Sequence, residues 1–108
     1  MTADPVFAAL ASPARRELLR LLLEEGAQPA GRLADRFDMS RPSVSEHLKV
    51  LKDAGLVAET RRGRERHYRL EAEPLMSVRD WLVPYERFWR GKLAGLRGLL
   101  DEMEDDHG

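Results

Sequence analysis

Residues 40–49, SRPSVSEHLK, crowd two hydroxyl-rich turns, an arginine, a glutamate, a histidine and a lysine into one short segment. Two chemistries use such residues. Nucleophilic catalysis would need Ser43 or Ser45 to meet Glu46 and His47. Neighbouring positions on a helix point about 100° apart, and neither serine has an orienting partner in the pattern, so no catalytic residue is assigned and the chain is not read as an enzyme. Recognition of a base edge in the major groove needs short hydrogen-bonding side chains beside a bidentate donor, which Arg41, Ser43 and Ser45 supply. A second run, RRGRERHYR over 61–69, holds five arginines against one glutamate. Arginine at a tight turn suits phosphate or minor-groove contact, against the plainer alternative of a solvated charged hairpin. The candidate contacts to double-stranded DNA are therefore Ser40, Arg41, Pro42, Ser43, Ser45, Glu46, His47, Lys49, Arg61, Arg62, Arg64 and Arg66. Arg15 and Arg16 fit equally a flanking phosphate or an ordinary helix surface.

The elements that must hold these residues follow from periodicity and caps. Asp4-Pro5 starts a short helix with Val6, Phe7 and Leu10 on one face, and Ser12-Pro13 starts a second, rich in buried leucines from Leu18 to Leu23, that Gly26 ends. After a turn around Gln28-Pro29, the spacing of Leu33, Ala34 and Phe37 predicts a helix of about two turns, interrupted at Asp38-Met39. Ser40 caps the next helix, whose core stripe is Val44, Leu48 and Leu51 and whose end is Gly55. Two runs with strand character, 56–60 and 66–70, flank an arginine-rich turn containing Gly63 and form a hairpin. His67 and Tyr68 must then point to opposite faces. From Pro74 to Met103 the apolar residues recur three or four apart, with a kink or a break expected at Pro84.

The order helix, helix, short helix, short turn, helix, hairpin describes a mainly α winged helix-turn-helix with a small β-hairpin wing. With 108 residues, the expectation is one domain: a DNA-binding core over 6–72, a C-terminal dimerisation helix or kinked helix pair over 74–103, and an acidic tail over 104–108. His107 in that tail, beside Glu104, Asp105 and Asp106, reads as solvated rather than metal-binding.

Composition narrows the function classes. There is no cysteine, which excludes a disulfide framework, a thiolate metal site and thiol-based redox sensing. Apolar runs are too short for a membrane helix and the first residues lack a basic leader, so a cytoplasmic protein without membrane partners is expected. Eighteen basic and nineteen acidic residues give a net charge of −1, which argues against a generic polycation. The charges are uneven, however: 101–106, DEMEDD, holds five acids and no base, which leaves room for a basic patch elsewhere.

Ala9-Leu10-Ala11-Ser12-Pro13-Ala14-Arg15, the stretch VSEHLKVLKDAGLVAETRRGRERHYRL and the wing Arg62-Gly63-Arg64 together resemble the ArsR family of bacterial winged-helix repressors over residues 6–70. The resemblance implies a homodimer that represses transcription and releases DNA when an effector binds. It places base-reading positions on Arg41, Pro42, Ser45 and Glu46, with Ser43, His47 and Lys49 near the groove. Two departures stand out. Proline at 42 removes a donor, and Glu46, where relatives often carry histidine or arginine, can accept from cytosine N4. Metal-sensing members carry a cysteine motif on the third helix or acids and histidines on the last. Gly31-Arg32-Leu33-Ala34-Asp35 and a last helix without histidine match neither, so no metal and no cofactor is expected.

The aromatic cluster Trp81, Tyr85, Phe88 and Trp89 resembles that of an autorepressor-like subgroup lacking those metal sites. Packing between subunits is the default reading of an aromatic stripe. The expected dimer interface is Val6, Phe7 and Leu10 of the first helix with Tyr85, Phe88, Trp89, Leu93, Leu96 and Leu100 of the last. Gly91, Gly95 and Gly98 suggest that another backbone passes close by. An apolar effector pocket lined by Trp81, Tyr85 and Trp89 is the lesser alternative, and the sequence identifies no effector. The rival functions are a winged-helix protein-interaction module, disfavoured by the arginine-rich wing, and a non-specific DNA-binding protein.

Overall fold

The computed structural model describes residues 4–105. Of the tail expected at 104–108, residues 104 and 105 belong to the last helix instead, and the rest, His107 included, lies outside the described residues. Helix α1 spans Asp4–Leu10 and α2 spans Pro13–Glu25. Ser12 caps α2 as its sequence predicts, its Oγ accepting from the Arg15 backbone N–H at 3.3 Å. Gly26 closes the helix with φ +83°, a conformation that a side chain would strain.

The short helix α3 covers Ala30–Ala34 only. The expected second turn is replaced by single turn bonds from Arg36 N–H to Leu33 and from Phe37 N–H to Ala34, which keep Phe37 against the core without continuing the helix. Helix α4, Arg41–Asp53, has Ser40 as its cap, with the Ser43 N–H donating to Ser40 Oγ at 3.2 Å, and Pro42 in the first turn, where its missing N–H costs nothing.

Three strands complete the compact part. β1 is Gln28–Pro29, β2 is Val57–Arg62 and β3 is Glu65–Leu70, in the antiparallel order β1-β3-β2. The two-residue β1 stands where the sequence suggested only a turn. It is too short to carry a period, and it forms because β3 offers it an edge, pairing Gln28 with Tyr68 and Pro29 with His67. The hairpin is also tighter than expected. Arg62 pairs with Glu65, which leaves Gly63-Arg64 as a two-residue turn and places Arg61, Arg62 and Arg66 in the strands. Gly63, with φ +61°, takes the first turn position, where a positive φ is required.

The core is built from one stripe of each element: Val6 and Ala9, the α2 leucines 18, 19, 21 and 22, Leu33 and Ala34, then Val44, Leu48 and Leu51 of α4, with Leu56, Val57 and Tyr68 from the hairpin. Tyr68 is the inward residue of the His67-Tyr68 pair, and His67 is half-buried.

The last helix, α5, runs Leu75–Asp105. The chain divides into two compact units, one up to Val78, which takes in the first turn of α5, and one from Arg79 onward. Leu75 and Val78 pack on that core. No break occurs at Pro84; the helix continues through it. The carbonyl that Pro84 leaves without a partner belongs to exposed Asp80, where solvent can satisfy it, so the usual penalty is softened.

Leu48 is fully buried at the centre of α4. Leu48→Ala is expected to lower unfolding stability by about 2–5 kcal/mol. The check is the urea midpoint with the dependence on denaturant held constant.

Candidate nucleic-acid interface

Burying Val44, Leu48 and Leu51 turns the other side of α4 outward by helical geometry alone. Arg41, Ser43, Ser45, Glu46 and Lys49 are all exposed, as are Ser40 and Pro42 at its start. Ser40 is already engaged: its Oγ caps the helix and donates to Ser43 Oγ at 2.9 Å. Arg41 extends into solvent with Asp35 Oδ1 3.7 Å from its guanidinium, a weak exposed pair that a stronger anion can displace.

The wing lies beside this face. Gly31 and Arg32 of α3, Arg41 and Ser45 of α4, and Arg64 and Arg66 of the wing line one groove, with Glu65 as its acidic member. A neighbouring hollow joins Ser45, Glu46 and Lys49 to Lys52, Glu59, Arg66 and Tyr68. The fold thus brings Arg41, Ser45 and Lys49 of α4 together with Arg64 and Arg66 of the wing along two adjoining hollows. Arg61, Arg62 and Arg64 make no ion pair among the described residues, so their charge is available to an incoming polyanion. Strand alternation sets Arg62 apart from its neighbours. It lines a hollow with Thr60, His67 and Arg69 on the other face of the sheet.

Glu59 ties the wing to α4. It takes Lys52 Nζ at 3.2 Å, Arg66 Nε at 3.6 Å and the Tyr68 hydroxyl, which donates at 3.4 Å. Burial, and then the Glu59 carboxylate, push the Tyr68 phenol above its ordinary range, and Arg66 opposes them. Sequence reasoning missed Arg32, Lys52 and Glu59. Arg32 and Lys52 carried the right charge but stood outside the two runs, whereas nothing local marks Glu59 as the joint.

Arg15 and Arg16 also depart from expectation. Neither is a bare surface cation: Arg15 donates to the carbonyls of Ala8 and Ala9, and Arg16 to that of Leu10 at 2.7 Å, satisfying the last turn of α1. His47 is half-buried at the α1 side of α4 and bonds to Arg15.

The residues expected at a subunit interface divide. Val6 is buried in the chain's own core, and Phe7 and Leu10 are half-buried. Along α5, Tyr85, Phe88, Trp89, Leu93, Leu96 and Leu100 are all exposed, as are Trp81, Leu99 and Met103. The Trp81 and Tyr85 rings lie 5.0 Å apart, tilted by 39°. Open space surrounds Gly91, Gly95 and Gly98, so no backbone of the described chain makes the close approach expected there. Among the described residues, no three side chains form a metal-binding group and no helix is long and apolar enough to cross a membrane.

A two-helix reading unit with an arginine-lined wing on one face defines a winged helix-turn-helix DNA-binding regulator. Residues 10–60 match a family model described as a helix-turn-helix domain. The HTH-type transcriptional regulator Rv2034 of Mycobacterium tuberculosis is 40% identical over 95% of this chain and 92% of its own length. The transcriptional repressor SdpR of Bacillus subtilis is 36% identical over 74% of this chain and 88% of its own. Among solved structures, an ArsR family transcriptional regulator superposes with a TM-score of 0.72 at 36% identity, covering 81% of this chain and 89% of that one. An ArsR-like regulator from Rhodococcus sp. RHA1 gives 0.66 at 33% identity over 90% and 91%. The chain belongs to the ArsR family of winged helix-turn-helix transcriptional regulators.

The raised Tyr68 value sets a pH dependence. Its folded form favours the protonated phenol, so this stabilisation is fully present below the ordinary tyrosine value of about 10 and is lost as pH rises through the raised one. Urea midpoints are expected to fall across that alkaline range in the wild type and to fall less in Tyr68→Phe.

Proposed function

We propose that the chain is a cytoplasmic transcriptional repressor that acts as a homodimer on an inverted-repeat operator. The observation that carries this reading is the exposed polar face of α4 continuous with the arginine wing. Insertion of the first turns of α4 into the major groove brings Arg41, Ser45 and Glu46 to base edges, with Ser40, Pro42, Ser43, His47 and Lys49 alongside. Arg61, Arg64 and Arg66 then meet the adjoining backbone, and Arg62 serves a phosphate beyond the outer face of the wing. The repressor sense is supported by the name of the Bacillus subtilis relative.

The homodimer is supported by the apolar stripe of α5. An exposed line from Trp81 to Met103 is more than a solitary soluble helix tolerates. We assign it to the same helix of a second copy, with Phe7 and Leu10 of α1 adding to the contact. Two-fold symmetry then sets half-sites about 10 base pairs apart, or a multiple of that. The alternative of an apolar effector at Trp81, Tyr85 and Trp89 is less favoured, because Trp81 and Tyr85 are about half exposed on an open helix face, which suits another helix better than an enclosed small molecule.

The test is selection of duplexes from a random-sequence pool by the purified protein, followed by fluorescence anisotropy on the selected duplex and a scrambled one over a salt series. Preference of about 10³-fold or more with a steep salt slope is expected. Salt-sensitive binding without preference would indicate a non-specific DNA binder, and no binding to any duplex at low salt would favour the protein-interaction module. On the selected duplex, Arg41→Ala is expected to cost about 1–3 kcal/mol and relax one base position, whereas Arg64→Ala weakens all sequences alike and flattens the salt slope. Light scattering should show a two-chain species in the wild type, shifted to one chain by Leu96→Glu.

A further inference from the structure

Arg15 makes three contacts through three different nitrogens. Nε donates to the Ala9 carbonyl at 2.7 Å, Nη2 to the Ala8 carbonyl at 3.0 Å and Nη1 meets Nδ1 of His47, 32 residues away, at 3.2 Å. The first two satisfy the end of α1; the third reaches α4. A guanidinium has donors and no acceptor, so the imidazole nitrogen that it meets must carry a lone pair. With Nδ1 accepting in this bond, the ring N–H stands at Nε2. Nε2 has no partner among the described residues, and His47 lies one turn beyond exposed Ser43 on the same strip of α4.

We propose that Arg15 is a positioning residue of the DNA-reading surface, which holds His47 as the Nε2–H tautomer and so gives α4 a hydrogen-bond donor at that point of the interface. A phosphate oxygen or a purine N7 accepts from such a donor, and the other tautomer would present a lone pair to it instead. Because the same guanidinium holds the α1 carbonyls, the orientation of His47 is set by α1 as well as by α4. The proposal rests on the DNA-binding reading above, but its first half concerns the free protein and is measured without DNA.

Nitrogen-15 correlation spectra of the histidine side chains in the full-length protein, with His47 identified by the signal lost in His47→Gln, are expected to show a single Nε2–H tautomer. Arg15→Met should convert it to a tautomer mixture. On the selected duplex, Arg15→Met should weaken binding about tenfold, as loss of a charge-assisted hydrogen bond does. His47→Gln, whose amide nitrogen replaces the Nε2 donor, should bind nearly as wild type, while His47→Asn and His47→Leu should each lose about tenfold. Arg15→Met in the His47→Leu background should add little further loss. A single tautomer that persists in Arg15→Met, or losses that multiply in the double variant, would overturn the proposal. Should Arg15→Met fail to fold, equal binding by His47→Gln and His47→Asn would overturn it. Failure of the wild type to select any duplex would sink the DNA reading, and the tautomer in the free protein would still decide the role of Arg15.

Discussion

Everything in the compact unit hangs on α4 being anchored by one face while the other, polar face stays exposed. Val44, Leu48 and Leu51 recur at four and three residues and are at most 1% exposed, so the helix cannot rotate about its axis without pulling a leucine into water. Each such exposure would cost on the order of 1.5–3 kcal/mol, a large share of the roughly 5–15 kcal/mol that stabilises a domain. That constraint fixes which side chains face out. The exposed polar residues of 40–49 are aimed by the core and the Ser40 cap, and His47 has a further hold on it from Arg15.

The wing is held by a different kind of contact. Its outer half is solvated and offers little apolar area, so its link to α4 passes through Leu56, Val57 and the ring of Tyr68, and then through Glu59 with Lys52 and Arg66. A half-buried carboxylate between two cations also limits the positive charge of the surface. The interface is basic without being a polycation, which agrees with the net charge of −1. In the DNA-binding mode proposed above, such a surface would leave discrimination to hydrogen bonds at α4 rather than to bulk attraction.

The two units of the chain put their apolar residues to different uses. Up to Val78 most hydrophobic side chains close on one another, with Leu23, Met39 and Met76 left exposed, whereas from Arg79 on most form a stripe that the described chain leaves exposed. A helix of that pattern is complete as secondary structure and incomplete as a folded surface. In the homodimer proposed above, a second copy of the chain would both cover this stripe and present a second α4 to DNA.

Legibility in the sequence tracked the range of the interaction. Helix starts at Ser12 and Ser40, the stops at Gly26 and Gly55, the α4 stripe, the hairpin and both basic runs were readable because each is specified by residues within a turn or two of one another. β1 was not, since two residues have no period and acquire a strand only from the edge of β3. Nor was the length of α3, whose second turn gives way to isolated bonds at Arg36 and Phe37. In the sequence Arg15 and Arg16 fit a flanking phosphate and a helix surface equally and nothing local marks Glu59, yet tertiary structure ties them to α1 carbonyls, to His47 and to the foot of the wing. By itself, then, the sequence determined which elements form, which faces are apolar and that a polar helix face accompanies an arginine-rich hairpin. Only the tertiary structure decided which charges are left unpaired among the described residues and which are spent within the fold, because a guanidinium or carboxylate finds its partner through space, across separations that no local pattern records.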